Sequence, residues 1–153
     1  MPPARRSLPS VDGNRVENRL ELLSPRDMTI AEERKLILLV EDDTDARELL
    51  ASVLEEARYE VLRACHGGDA LAKLEQLRTR CHLILLDLMM PVMNGWDFRR
   101  KQRANPALAE IPVLLMSAGA HLAAATGDLN VAGCVAKPVE IADLLAKVQR
   151  YCS

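Results

Sequence analysis

The run Leu83-Ile84-Leu85-Leu86, closed by Asp87, limits the fold more than any other stretch of this chain. Four large aliphatic residues in a row suit a strand covered on both faces, as in the middle of a parallel sheet; a half-exposed strand would alternate apolar with polar. Parallel strands require crossover connections, so the rest of the chain must supply helices between strands. In open sheets of this kind ligands gather outside the carboxyl ends of the strands, and Asp87 stands at such an end.

From Lys35 onward the sequence provides that alternation. Leu36 to Val40 reads as a strand leading into Glu41-Asp42-Asp43, and Ala46, Leu49, Leu50, Val53, Leu54 and Ala57 then recur at helical spacing. This leaves Arg47, Glu48, Glu55 and Glu56 to face water. Glu60 to Cys65 is a second strand broken by Gly67-Gly68, and Ala70, Leu71, Leu74 and Leu77 mark a second helix. After the strand of Asp87, Pro91 and Asn94-Gly95 punctuate a loop before a third helix, Trp96 to Arg103, which Asn105-Pro106 ends. Ile111 to Met116 makes a fourth strand. An Ala-rich fourth helix, weakened by Gly127, is expected over His121 to Asn130. Cys134-Val135-Ala136 is a brief fifth strand ending at Lys137-Pro138, and a last helix carries Ile141, Leu144, Leu145 and Val148 on one face. Five strands alternating with five helices predict an α/β fold: a doubly wound parallel sheet with right-handed crossovers and helices on both faces.

With 49% apolar residues in 153, the chain can build one real core. Residues 1–34, with their prolines, serines and arginines, read as a flexible leader with a short helix near Arg15 to Leu23, and residues 35–153 as the folded domain. No apolar run approaches the roughly 18 residues a membrane span needs, and none follows Arg5-Arg6 to make a secretory signal, so a cytoplasmic address without membrane contact is expected. The charge is +1 through Lys35 and −3 beyond it, too balanced for a nucleic-acid binder. Arg99, Arg100, Lys101 and Arg103 read as the solvated face of a helix rather than a docking patch. Cys65, Cys81, Cys134 and Cys152 lie too far apart for a zinc site or a disulfide framework.

In this fold the carboxyl ends of all strands share one edge, which gathers Glu41, Asp42, Asp87, Ser117 and Lys137. Three carboxylates converging on one spot resist ionisation unless a cation neutralises them. A hard divalent ion is implied, magnesium first and manganese as the alternative, because both take oxygen ligands. An ammonium and a hydroxyl beside that ion suit the oxygens of a phosphoryl group, and carboxylates are known nucleophiles toward phosphorus. The predicted chemistry is the receipt of a phosphoryl group.

Val40-Glu41-Asp42-Asp43, Leu86-Asp87-Leu88-Met89-Met90-Pro91 with Asn94-Gly95, Met116-Ser117-Ala118 and Val135-Ala136-Lys137-Pro138 resemble the four signatures of the receiver domain of two-component response regulators. The resemblance covers roughly residues 35–153. It implies a flavodoxin-like sheet of order 2-1-3-4-5, and Asp87 as the acceptor of a phosphoryl group from a sensor histidine kinase or a histidine phosphotransfer protein. It further implies magnesium on Glu41, Asp42, Asp87 and the Met89 backbone carbonyl, with Ser117 and Lys137 on the phosphoryl oxygens. The Lys137-Pro138 bond resembles one the family often keeps cis. With no output domain in the chain, signalling would pass to a downstream protein target, and the fourth helix, fifth strand and fifth helix form the surface through which the family also makes homodimers.

Two departures carry expectations of their own. Cys134 stands where the family usually has a Tyr or Phe whose rotamer follows phosphorylation, and Val139 where many members have a Phe. The conformational response is therefore expected to be smaller, or carried by the loop after Ser117. Met89 and Gly119, two residues beyond Asp87 and Ser117, cannot activate or orient water well, which predicts slow self-dephosphorylation. Two other functions compete with this one. A phosphorylation-independent interaction module is opposed by the intact set of five side chains. A magnesium-dependent aspartyl-phosphate phosphatase is opposed by Met89, which occupies the place of the second, acid/base Asp such enzymes use.

Overall fold

The computed structural model describes residues 34–77, 80–90, 92–119, 127 and 129–152. The expected leader, and most of the helix expected over His121 to Asn130, lie outside the described residues. Lys35–Ser153 forms one compact unit. In chain order it contains β1 (Leu36–Val40), α1 (Thr44–Glu56), β2 (Glu60–Ala64), α2 (Gly67–Leu77), β3 (Cys81–Asp87), α3 (Gly95–Ala104), β4 (Val113–Ala118), β5 (Gly133–Lys137) and α4 (Ile141–Cys152). Among the described residues no helix is long and apolar enough to cross a membrane.

All five strands are parallel and lie in the order β2-β1-β3-β4-β5. Side chains alternate across a strand, so the uninterrupted apolar runs of β1, β3 and β4 feed two cores at once. Leu38, Val40, Ile84, Leu86, Val113 and Leu115 pack with Ala70 and Leu74 of α2 and Phe98 of α3. Ile37, Leu39, Leu83, Leu85, Leu114 and Met116 pack with Leu50 and Leu54 of α1 and Leu144 and Val148 of α4. Burying both faces is what fixes the order of these strands in the middle of the sheet.

Helix starts follow local side-chain chemistry. Asp43 caps α1, its carboxylate accepting the Ala46 amide at 2.8 Å, and Asn94 caps α3 by accepting the Asp97 amide at 2.9 Å. Arg58, at φ 73°, reverses the chain after α1 so that Tyr59 can start toward β2.

Four expectations need correction. Leu49 is 61% exposed, because the buried stripe of α1 runs through Leu50, Ala51 and Leu54 and leaves Leu49 on its flank. Ile141 is likewise exposed at the first residue of α4, ahead of the stripe Leu144, Val148 and Cys152. Gly67-Gly68 do not merely end β2; they open α2. Arg99 is not on a solvated face: it is buried, with Nε donating to the Leu129 carbonyl (3.0 Å), Nη2 to that of Asn130 (2.8 Å) and Nη1 to Gln102 Oε1 (2.7 Å). Gln102 in turn donates to the Leu108 and Ile111 carbonyls. One arginine of the basic run thus ties α3 to the backbone ahead of β5, and the charge pattern of the helix conceals it.

Candidate functional site

The register of the sheet brings the polar strand ends level. Val40 pairs with Leu86, Asp87 with Met116, and Ala118 with Lys137. Consequently Glu41, Asp87, Ser117 and Lys137 leave four adjacent strands at the same edge, beside the point where the chain order reverses across β1 and β3. The loops there are pinned. The Glu41 amide donates to the Ala64 carbonyl (3.0 Å), Leu88 to Met116 (3.3 Å), and Gly95 to Leu88 (2.9 Å). Gly95 is required: a Cβ there would lie 2.8 Å from Leu88 Cα and 3.1 Å from the Asp87 carbonyl oxygen.

One oxygen each from Glu41, Asp42 and Asp87 fall within 4.8 Å of one another. Glu41 and Asp87 are buried and Asp42 is exposed, so the cluster has an inner pair and an outer member facing solvent. Lys137 Nζ reaches both inner carboxylates, Glu41 Oε2 at 3.0 Å and Asp87 Oδ2 at 3.2 Å. The other Asp87 oxygen accepts the Met89 amide at 3.2 Å, and Glu41 Oε1 accepts the Asp43 amide at 3.3 Å.

One ammonium among three carboxylates leaves excess negative charge, and Glu41 and Lys137 respond to it. Burial, then the neighbouring Asp87 charge, raise Glu41 above the usual carboxylate value, with Lys137 only partly offsetting them. Burial pulls Lys137 down, but its contacts with Glu41 and Asp87 reverse that and leave it above its ordinary value. Oxygen donors crowded this closely, short of positive charge and open on the Asp42 side, fit a hard divalent ion such as magnesium.

Ser117 adds an independent sign. Its hydroxyl is buried and is the one buried side-chain polar atom among the described residues without a hydrogen-bond partner. Such an atom is expensive to leave unpaired, and at a strand end beside Asp87 it is suited to an incoming oxygen.

The structure therefore brings together Glu41, Asp42, Asp87, Ser117 and Lys137, and places the Met89 amide against Asp87. Two features were not foreseen. Asp87 is buried rather than open, with 4% of its side chain exposed, and the Lys137 ammonium lies 3.2 Å from its Oδ2. Arg47, expected to face water, is half-buried, and its Nη1 donates to the Glu41 carbonyl (2.9 Å) and the Asp42 carbonyl (3.5 Å). Its helical spacing gave no sign of this. At the two departures, Cys134 is half-buried with its carbonyl accepting Lys147 Nζ at 2.8 Å, and Val139 packs against the α1/α4 core. The Lys137-Pro138 peptide is cis.

Known proteins are similar to this chain in sequence and fold. The chain is 33% identical over 115 residues to the Haemophilus influenzae homolog of the transcriptional regulatory protein CpxR, matching 74% of this chain but 48% of that one. It thus spans about half the length of the first curated relatives it matches. A 14.6 kDa protein of Leptolyngbya boryana is 33% identical over 120 residues and is matched over 88% of its length. Among solved structures, the chemotaxis response regulator CheY4 of Vibrio cholerae superposes with TM-score 0.71 at 28% identity, covering 77% of this chain and 98% of that one. The receiver domain of a Pseudomonas aeruginosa sensor histidine kinase, solved with a magnesium ion coordinated in its active-site cleft, gives TM-score 0.70 at 27% identity over 78% and 98% of the two chains. Residues 37–149 match the response regulator receiver domain as a family. With the sheet order, the acidic cluster and the lysine all in agreement, the chain belongs to the response regulator receiver family.

Proposed function

We propose that the chain is a phosphoacceptor switch in which Asp87 takes a phosphoryl group from a phosphohistidine on a sensor histidine kinase or a histidine phosphotransfer protein. The observation that carries this reading is the joining of three carboxylates, one ammonium and one unpartnered buried hydroxyl at a single sheet edge. An Asp87 oxygen attacks phosphorus; the P–O bond forms as the P–N bond breaks, and the departing imidazole keeps the electron pair and takes up a proton. Magnesium held by Glu41, Asp42, Asp87 and the Met89 carbonyl would supply neutralisation of the negative charge gathered on the phosphoryl oxygens.

The protein's own groups then divide the work. Lys137 must let go of Glu41 to pair with a phosphoryl oxygen, and the Ser117 hydroxyl donates to another. Because Lys137 Nζ is paired with both Glu41 and Asp87, its release from Glu41 accompanies transfer. A protein donor also needs somewhere to rest. Among the large exposed apolar side chains of the described residues, Met89 and Val92 follow Asp87 directly at the carboxyl end of β3. Phosphorylation would bias two conformations, and a downstream protein target that prefers one of them reads the signal.

The test is incubation with a small phosphodonor such as acetyl phosphate and magnesium, followed by intact mass of the native chain and of Asp87→Asn. We expect one phosphoryl group on the native chain and none on the variant; no gain that depends on Asp87 would refute the assignment. Followed over time without a phosphatase, the tagged chain should lose phosphate slowly, since Met89 and Gly119 offer water no activating group.

A further inference from the structure

We propose that Arg47 is a positioning residue of the acidic cluster, its guanidinium holding the Glu41-Asp42 backbone so that both carboxylates face one cation. The proposal rests on reading Glu41, Asp42 and Asp87 as ligands of a divalent ion.

A single nitrogen, Nη1, donates to the carbonyls of two consecutive residues, Glu41 at 2.9 Å and Asp42 at 3.5 Å. Consecutive carbonyls of an extended strand point to opposite sides, so their sharing of one donor means that the backbone has turned here and is held in the turn. The holder is itself fixed. Arg47 stands in the first full turn of α1, and its amide donates to the Asp43 carbonyl at 2.9 Å while the Asp43 side chain caps the same helix. Strand end, acidic turn and helix start thus form one unit closed by the guanidinium.

Arg47 makes no ion pair among the described residues, even though acidic side chains are close in sequence. Glu48, the next residue, is engaged by Arg63 at 3.1 Å instead. A guanidinium whose hydrogen bonds go to neutral carbonyls is orienting backbone. That orientation works against three like charges in a row, Glu41-Asp42-Asp43, which would otherwise spread apart in water. Partners of this outer kind, which hold a ligand residue without touching the metal, typically change metal affinity by about 10–100-fold when removed.

The sign of the effect makes the proposal testable. If Arg47 acted only as a nearby positive charge, it would repel a divalent cation, and deleting it would tighten binding. If it acts by holding the turn, deleting it loosens binding. The experiment is calorimetric titration of the metal-free chain with magnesium chloride for the native protein, Arg47→Ala, Arg47→Lys and Asp42→Asn, with thermal unfolding of each without metal to confirm folding. We expect Arg47→Ala to weaken magnesium about 10-fold or more, and Arg47→Lys, which keeps a donor able to reach the carbonyls and the same charge, to recover most of the affinity. Unchanged or tighter binding by Arg47→Ala overturns the proposal, as does equal weakening in Arg47→Ala and Arg47→Lys. If the native chain and Asp42→Asn bind magnesium equally poorly, the metal reading itself falls, an outcome distinct from failure of Arg47 alone.

Discussion

Replacing Lys137 by Met tests how the site is balanced before any metal or phosphoryl group arrives. Lys137 lies 3.0 Å from Glu41 Oε2 and 3.2 Å from Asp87 Oδ2, and those carboxylate side chains are 2% and 4% exposed against 33% for the lysine. At an effective dielectric of about 20, each contact is worth about 5 kcal/mol of Coulomb attraction before desolvation is charged against it. Removing one partner of a fully buried pair costs about 3–5 kcal/mol. With a third of the ammonium in water, screening brings the expected loss to about 2–3 kcal/mol near neutral pH. Acidity supplies a second arm. Glu41 already sits above its ordinary value and must rise further once the ammonium is gone. A carboxylate with a raised pKa in the folded state binds more protons folded than unfolded, so its linkage favours the fold increasingly as pH falls. The deficit of Lys137→Met should therefore shrink between about pH 7 and about pH 5. Magnesium at a hundredfold excess over a chain's dissociation constant stabilises that chain by about 2.7 kcal/mol; the variant, binding more tightly because lysine and metal compete for the same oxygens, should gain more than the native chain at any one concentration, and the deficit should shrink by that difference. Urea unfolding followed by fluorescence of the single tryptophan, Trp96, measures all of this. A variant as stable as the native chain at neutral pH without metal, or a deficit that grows on acidification, would refute the reasoning.

Two further substitutions probe the frame that carries the site. Gly95→Ala places a methyl group 2.8 Å from Leu88 Cα, where backbone must yield, and should destabilise by about 1–3 kcal/mol in urea unfolding while also slowing phosphoryl uptake at Asp87. Arg99→Met keeps much of the buried volume but leaves the Leu129 and Asn130 carbonyls and the Gln102 side-chain oxygen without their donor, which should cost about 3 kcal/mol and raise amide exchange at Val131 to Gly133. Burial, then Arg103, already disfavour the charge on Arg99, so a methionine that stabilised the chain would show that desolvation outweighs these bonds.

The fold was legible because its central strands obey a rule that leaves little choice. A run such as Leu36 to Val40 or Leu83 to Leu86 has no polar face to give to water, so both faces must be covered, and helical periodicities between the runs supply the cover. Boundaries were less legible, for reasons tied to particular residues. β3 begins at Cys81, two residues before the aliphatic run, because Cys81 pairs with Leu36 and the His82 Nδ1 accepts the Leu36 amide at 3.0 Å. β4 starts at Val113 rather than Ile111, since Gln102 takes the Ile111 carbonyl and Pro112 lacks an amide for a ladder. In each case a single side chain or imino group, rather than hydrophobic pattern, moved the edge of the strand.

At the site the same contrast recurs with charge in place of hydrophobicity. Glu41, Asp42, Asp87, Ser117 and Lys137 could be assembled on paper because a parallel sheet puts every strand's carboxyl end on one edge; topology alone dictates their meeting. What topology does not dictate is which charge finds which. The partners of three arginines, Arg47, Arg63 and Arg99, cannot be read from their sequence neighbours, which are charged around Arg47 and Arg99 and apolar around Arg63. In the structure they do three different things: Arg63 bridges Glu48 and Glu55 across β2 and α1, Arg99 ties α3 to the backbone before β5, and Arg47 closes the acidic turn. A guanidinium presents five donors on a long stem, so its partner is chosen by packing among several within reach. Carboxylates at strand ends have no such freedom. The chemistry of this chain is therefore written by residues that the strand ends deliver to one sheet edge, while its tuning falls to arginines whose destinations depend on the finished fold.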